Sequence, residues 1–296
     1  MQERSFGIAP AGYRLPEGTH PGAVRLLVSD LAGSVRYYEE VLGLHVVART
    51  AESASLAPRG ESRPLIALET RTGTRPSEPR AALGLYHFAL LLPDRADLGR
   101  FVQHLAALGA RAGMADHVVS EAVYLSDPDG LGIEVYADRP RDTWKQNGRE
   151  LFMTTDPLDV DALVAAAAGT SWQGMPAGTV MGHVHLHVGD LDEAAAFYHA
   201  ALGFDKVVWS YPGALFMSAG GYHHHLGTNT WSRGPAPAGD RARLLSWDLI
   251  VPRAEDAEAA ARSLASGGYT TQKDAGAFIA ADPWGTALRI TAGAHS

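Results

Sequence analysis

The sequence predicts an α+β protein formed by tandem duplication of paired βαβββ modules, four modules in all. The first sign is self-similarity at an offset of 160 residues, which lays VSDLAGSVRYYEEVLGLHVV (28–47) on VGDLDEAAAFYHAALGFDKVV (188–208). Asp30, Leu31, Tyr38, Leu42 and Gly43 then meet Asp190, Leu191, Tyr198, Leu202 and Gly203. The second is that LYHFALLLPDRADL (85–98) pairs with LLSWDLIVPRAEDA (244–257), and DPDGLGIEV (127–135) with DPWGTALRI (282–290). The third is that one pattern occurs twice in each half: a short apolar strand, an Asp or Pro helix start, an amphipathic helix, then further short strands.

In chain order, residues 1–18 form an N-terminal tail, and 19–140 a first domain holding modules near 20–75 and 84–138. Asp30 caps the helix of the first module, whose apolar positions follow i, i+3, i+4, i+7 spacing. The helix of the second spans about 95–108 and is ended by Gly109. Residues 141–179 form a structured linker with one strand (LFMTT) and one Asp-capped helix (DVDALVAAAA). A second domain, 180–293, holds modules near 180–233 and 243–292, with Asp190 as one helix cap and a helix at 254–266 ended by Gly267.

Composition narrows the function classes. With 46% hydrophobic and 20% charged residues over 296 positions, the chain can bury one large or two ordinary cores. Its formal charge is −8, and its three lysines (Lys145, Lys206, Lys273) are scattered, so no basic face suggests nucleic acid or an anionic membrane. The opening MQERSFGIAPAG lacks the basic start and apolar core of a secretory signal, and runs such as FALLL are too short to span a bilayer. A cytoplasmic protein is expected. The absence of cysteine excludes disulfides, thiolate metal sites and cysteine nucleophiles, so any metal must be held by nitrogen and oxygen.

Seven of the thirteen histidines fall between His183 and His225. In GHVHLHV (182–188), period-two alternation puts His183, His185 and His187 on one face. His185 and His187 read as hydrogen-bonded lining residues. His183 differs because it lies seven residues before Asp190, as His87 lies seven before Asp94, whereas that slot in the other two modules holds Ala23 and Ser246. Glu134, in the apolar stretch LGIEVYA, has Arg289 as its repeat partner. A carboxylate in a buried strand needs a cation. His87, His183 and Glu134 therefore form a candidate two-histidine, one-carboxylate set, which suits Fe(II), with Mn, Co, Ni or Zn also compatible. In SAGGYHHHLGTNTW (218–231), a strand would turn His223 and His225 to one face and His224 to the other.

The strings LYHFALLLPDR, SEAVYLSDPDGLGIEVYADRPR, MGHVHLHVGDL and SAGGYHHHLGTNTW resemble the vicinal oxygen chelate superfamily, and within it the two-domain bacterial catechol 2,3-dioxygenases. That resemblance implies half-open mixed β-barrels with His87, His183 and Glu134 as metal ligands. It also implies that Tyr124, ten residues before Glu134, and His117, seven before Tyr124, orient substrate. The acid/base histidine falls on His225, with His224 the alternative if the strand register slips. The implied reaction is Fe(II)-dependent extradiol cleavage of a catechol by dioxygen to a 2-hydroxymuconic semialdehyde type of product. The alternatives are a glyoxalase-type isomerase with His225 as a fourth ligand, or a metal-free ligand-sequestering protein. By analogy with dimeric glyoxalase I, one site is expected from modules two and three, with a vestigial one from modules one and four. Partners are then a small aromatic diol and dioxygen, and a homo-oligomer is expected from edge-strand pairing. The segments MAD (114–116), RDTWKQNGRE (141–150) and WSRGPAPAGDRAR (231–243) read as loops at a pocket mouth, where Trp144 or Trp231 contacts substrate or packs.

Overall fold

The computed structural model describes residues 6–78, 82–167 and 169–293. The first five residues of the expected tail, and Ala168 at the end of the expected linker helix, lie outside these. Four modules follow one another in the predicted order. The first comprises β1 (His20–Val28), α1 (Leu31–Glu40), β2 (His45–Arg49), β3 (Ser53–Ala57) and β4 (Ile66–Thr70). Next come β5 (Gly84–Leu91), α2 (Arg95–Leu108), β6 (Gly113–Asp116), β7 (Ser120–Ser126) and β8 (Gly132–Asp138). The linker carries β9 (Gln146–Asn147), β10 (Glu150–Leu151) and α3 (Val160–Ala166). The third module has β11 (Val180–His187), α4 (Leu191–Ala194) running on as a π-helix over Ala195–Ala201, β12 (Asp205–Val208), β13 (Ala214–Ser218) and β14 (Leu226–Asn229). The fourth has β15 (Arg243–Val251), α5 (Ala254–Ser266), β16 (Thr271–Asp274), β17 (Ala277–Ala281) and β18 (Ala287–Ala292).

Helix starts follow from carboxylates that satisfy the free N–H groups of the first turn. Asp30, Asp94, Asp159 and Asp190 each accept from a backbone N–H two or three residues ahead. At α5 the cap residue is Arg253, and the Asp256 carboxylate instead reaches back to its N–H. Gly109 ends α2 in the left-handed conformation, φ 66°. After α5 the left-handed residue is Gly268, φ 87°, one position later than expected, since Gly267 keeps φ −78°.

Apart from the short β9–β10 pair, the described strands form two eight-stranded mixed sheets, each joining modules from opposite halves of the sequence. One runs β12-β13-β14-β11-β5-β8-β7-β6, from modules three and two. The other runs β16-β17-β18-β15-β1-β4-β3-β2, from modules four and one. In both, the first strands of the two modules pair antiparallel at the centre, β11 with β5 and β15 with β1. A continuous apolar core takes in Val24 and Leu26 of β1, Phe101 of α2 and Val184 and Leu186 of β11. Because side chains alternate, the residues between them on β11 face the other way.

One linker expectation and one loop expectation need correction. Only Leu151 of LFMTT lies in a strand; beyond it the Thr154 carbonyl is taken by the His117 side chain instead of a strand partner. The segment MAD belongs to β6 rather than to a loop.

Candidate metal centre

Strand register assembles the site. On β11, His183 lies opposite Ala89 of β5, Ala89 lies opposite Glu134 of β8, and Glu134 lies opposite Tyr124 of β7. His87, two residues before Ala89, shares its face. The methyl of Ala89 leaves the space in which longer neighbours converge. His87 Nε2 and Glu134 Oε2 are 3.0 Å apart, His183 Nε2 and Glu134 Oε2 3.1 Å, and the two Nε2 atoms 3.3 Å.

That triangle fits one metal ion. Two donors at ~2.1 Å from an ion lie ~3.0 Å apart at a right angle and ~3.4 Å apart at a tetrahedral angle. Hydrogens cannot satisfy all three edges: if both Nε2 atoms donate to Oε2, the two N–H groups oppose each other. All three residues are buried, and among the described residues no fourth His, Asp or Glu completes the group. Burial alone would raise the Glu134 carboxyl, but His183 and His87 outweigh it and hold the group well below the usual carboxylate range. Burial lowers His87 despite the Glu134 contact, so its imidazole is neutral. Anionic carboxylate and neutral imidazole are the ligand forms that bind a divalent ion.

Tyr124 and His117 reach the same cavity. His117 Nδ1 lies 2.6 Å from Thr154 O, a pure acceptor, so Nδ1 carries the proton. Its bare Nε2 accepts from the Tyr124 hydroxyl at 2.5 Å. Burial, then Glu134, raises Tyr124 well above the ordinary phenol range, so it stays protonated.

The triple histidine departs from expectation. Residues 219–225 are irregular and β14 starts only at Leu226, so strand alternation does not apply there. His224 lines the cavity with its ring 4.1 Å from that of His183. His225 does not line it: the ring stacks on Tyr222 at 4.9 Å, and Nδ1 accepts the Ala219 N–H. His223 Nε2–H donates to Asp138 at 2.9 Å, and His223 Nδ1 is 2.7 Å from His224 Nδ1. Burial, then the nearby imidazoles led by His183, keeps His224 well below the usual range and neutral.

A cavity of about 300 Å³ lies over the three donors. Besides the residues above it is lined by Tyr86, His185, Tyr211, Phe216 and Trp231. Trp144 is instead buried, its Nε1–H bonded to Arg139 O. His185 and His187 bond Asn229, as expected of lining histidines, and Gly227 makes room for His185, whose Cγ would lie 2.8 Å from a Cβ there. Sequence reasoning missed Tyr86, Tyr211 and Phe216. Strict alternation turns Tyr86 away from His87, but the ladder pairs His185 with His87 and Leu186 with Leu85, leaving Tyr86 as the extra residue of a β-bulge.

Residues 20–135 and 180–290 match the model of the Glyoxalase/Bleomycin resistance protein/Dioxygenase superfamily. The chain is 42% identical over 272 residues to a catechol-2,3-dioxygenase of Bacillus subtilis (strain 168), covering 90% of this chain and 95% of that one. A crystal structure from Bacillus subtilis shares the fold at TM-score 0.63 and 16% identity, over 95% of this chain and 86% of that one. Glyoxalase I from Zea mays shares it at TM-score 0.54 and 17% identity, over 92% of each chain.

Proposed function

Since the chain belongs to the glyoxalase/bleomycin resistance protein/dioxygenase superfamily, we propose that it is an extradiol dioxygenase that cleaves a catechol with dioxygen, using Fe(II). The observation that carries this reading is a three-donor set left open on the side of an aromatic-lined cavity. Two imidazoles and one carboxylate with free positions are the donor type of non-haem Fe(II) oxygenases. The 42% identical catechol-2,3-dioxygenase supports the substrate class.

His87, His183 and Glu134 hold the ion, which when bound supplies a Lewis-acidic, redox-active centre that acidifies catechol hydroxyls. The rest falls to side chains of this protein. Phe216 and Trp231 offer apolar ring surface and keep bulk water from the aromatic substrate. Tyr124 commits its proton to His117 Nε2, so its oxygen is free to accept a hydrogen bond from a substrate hydroxyl. A proton leaving that hydroxyl passes through Tyr124 to His117 Nε2, and the resulting imidazolium is supported by Thr154 O. Neutral His224, whose Nδ1–H faces His223 Nδ1, retains the Nε2 lone pair for proton transfer on the other side.

The isomerase alternative needs a fourth ligand, and His225, the residue expected to supply it, bonds backbone instead. To test the dioxygenase reading, the protein is loaded with Fe(II) without oxygen, mixed with catechol and alkyl- or halo-catechols, and exposed to air. Oxygen uptake matched one to one by yellow ring-fission product, and lost in His87→Ala and Glu134→Ala, is the expected result. Bound metal with no uptake on any catechol would overturn it.

A further inference from the structure

A second cavity of about 550 Å³ opens at the end of the same half-barrel, where β5 and β8 begin and β7 and β11 end. Leu85, Leu125, Leu131 and Ile133 give it an apolar side, and Glu78, Arg111 and Arg243 give it a charged one. The two cavities share four lining residues: Tyr86, His87, Gly113 and Tyr124. His87 is fixed among the donors, Tyr124 is tied to His117, and Gly113 has no side chain. The remaining one, Tyr86, stands between the cavities. Its ring lies 4.8 Å from that of His87, 5.1 Å from His185, 4.8 Å from His187 and 5.6 Å from Trp231. The bulge that brings it to the side of His87 is the kind of local defect that re-aims a side chain beside a site, and the ring stays partly exposed there.

Resting on the catechol reading above, we propose that Tyr86 is a specificity-determining residue that limits the length of the ring substituent. With Tyr86 in place, the inner cavity receives a compact catechol, and its volume lies at the bottom of the ~300–1,000 Å³ range of small-molecule sites. Removing the ring joins it to the second cavity, whose apolar side of Leu85, Leu125, Leu131 and Ile133 receives an aryl or alkyl arm. The substrate class assigned to the unaltered protein is therefore catechol and its methyl or halogen derivatives.

The test is an oxygen-free equilibrium titration of Fe(II)-loaded protein with 4-methylcatechol and with 3- and 4-phenylcatechol, read by calorimetry. The unaltered protein should bind the phenylcatechols on the order of tenfold or more weaker than methylcatechol. Tyr86→Ala should bring the ligands within about threefold of one another. Tyr86→Leu should fall between, and Tyr86→Phe, which keeps the ring, should retain the original ranking. Methylcatechol binding with an unchanged ranking in both Tyr86→Ala and Tyr86→Leu would overturn the assignment alone, as would equal binding of all ligands by the unaltered protein. Failure of every catechol to bind the loaded unaltered protein would overturn the functional reading, and this assignment with it.

Discussion

Across β11, β5, β8 and β7 one row of the first sheet reads His183, Ala89, Glu134 and Tyr124. The corresponding row of the second sheet, across β15, β18 and β17, reads Asp248, Arg289 and Ile279. In the first, a buried carboxylate is flanked by two imidazoles, with no lysine or arginine paired to it among the described residues. In the second, Asp248 lies 2.6 Å from Arg25 and 3.4 Å from Arg289, so the charges close on themselves. Even the bulge is repeated, with Leu245 as the extra residue where the first sheet has Tyr86. Charge burial is costly unless paired. One architecture thus meets that cost twice: in the second sheet with its own arginines, in the first with a geometry that fits an ion from outside.

The largest expected contrast comes from deleting the odd charge of each sheet. Glu134→Ala and His183→Ala should abolish metal binding and lower ring cleavage about a thousandfold or more, whereas Arg289→Ala should leave metal content and turnover unchanged. Elemental analysis and oxygen uptake check both arms. The next effect separates the row neighbours: Tyr124→Phe should lower kcat ~10–100-fold with metal content intact, because it removes the group that links substrate to His117. Ile279→Val, at the same place in the second sheet, should leave kcat alone. Likewise His224→Ala should reduce kcat while His225→Ala should lower the thermal midpoint without a kcat loss, a split read by steady-state kinetics alongside calorimetry.

The four-module fold and three candidate metal-holding residues were legible because the repeat supplied an internal control. Slots holding histidine in two modules and alanine or serine in the others marked His87 and His183, and Arg289 in place of Glu134 marked the carboxylate. Spacing from Glu134 led to Tyr124 and His117 through the family resemblance, and the fold places both at the cavity. What stayed hidden depends on departures from regular geometry. Alternation presumes a strand, but residues 219–225 are irregular, which moves His224 to the cavity and His225 to Tyr222. Alternation also presumes an unbroken ladder, so the bulge at Tyr86 was invisible. Tyr211 and Phe216 carried no signal beyond ordinary apolar residues, and long-range packing alone brings them to the site.

Stability effects are smaller and sharpen the second sheet. Arg289→Ala leaves Asp248 with one partner in a largely buried position and should cost ~1–3 kcal/mol, between the values for exposed and fully buried pairs. Denaturant unfolding measures it. Both halves also share a tyrosine–aspartate contact, Tyr38 with Asp127 at 3.1 Å and Tyr198 with Asp282 at 2.9 Å. Burial pushes the Asp127 carboxyl up to about 7 from 3.8. A group raised on folding binds protons more tightly in the folded state, so its contribution is fully present below about pH 4 and is lost as pH rises through about 7. Relative to the unaltered protein, Asp127→Asn should therefore gain stability between pH 4 and 7, and a pH series of unfolding midpoints reads the slope.

Metal stoichiometry tests most directly whether one sheet alone has kept the site. After Fe(II) loading and removal of free ion, one ion per chain is expected, lost in Glu134→Ala and retained in Arg289→Ala. Two ions per chain, or one ion retained in Glu134→Ala, would contradict it.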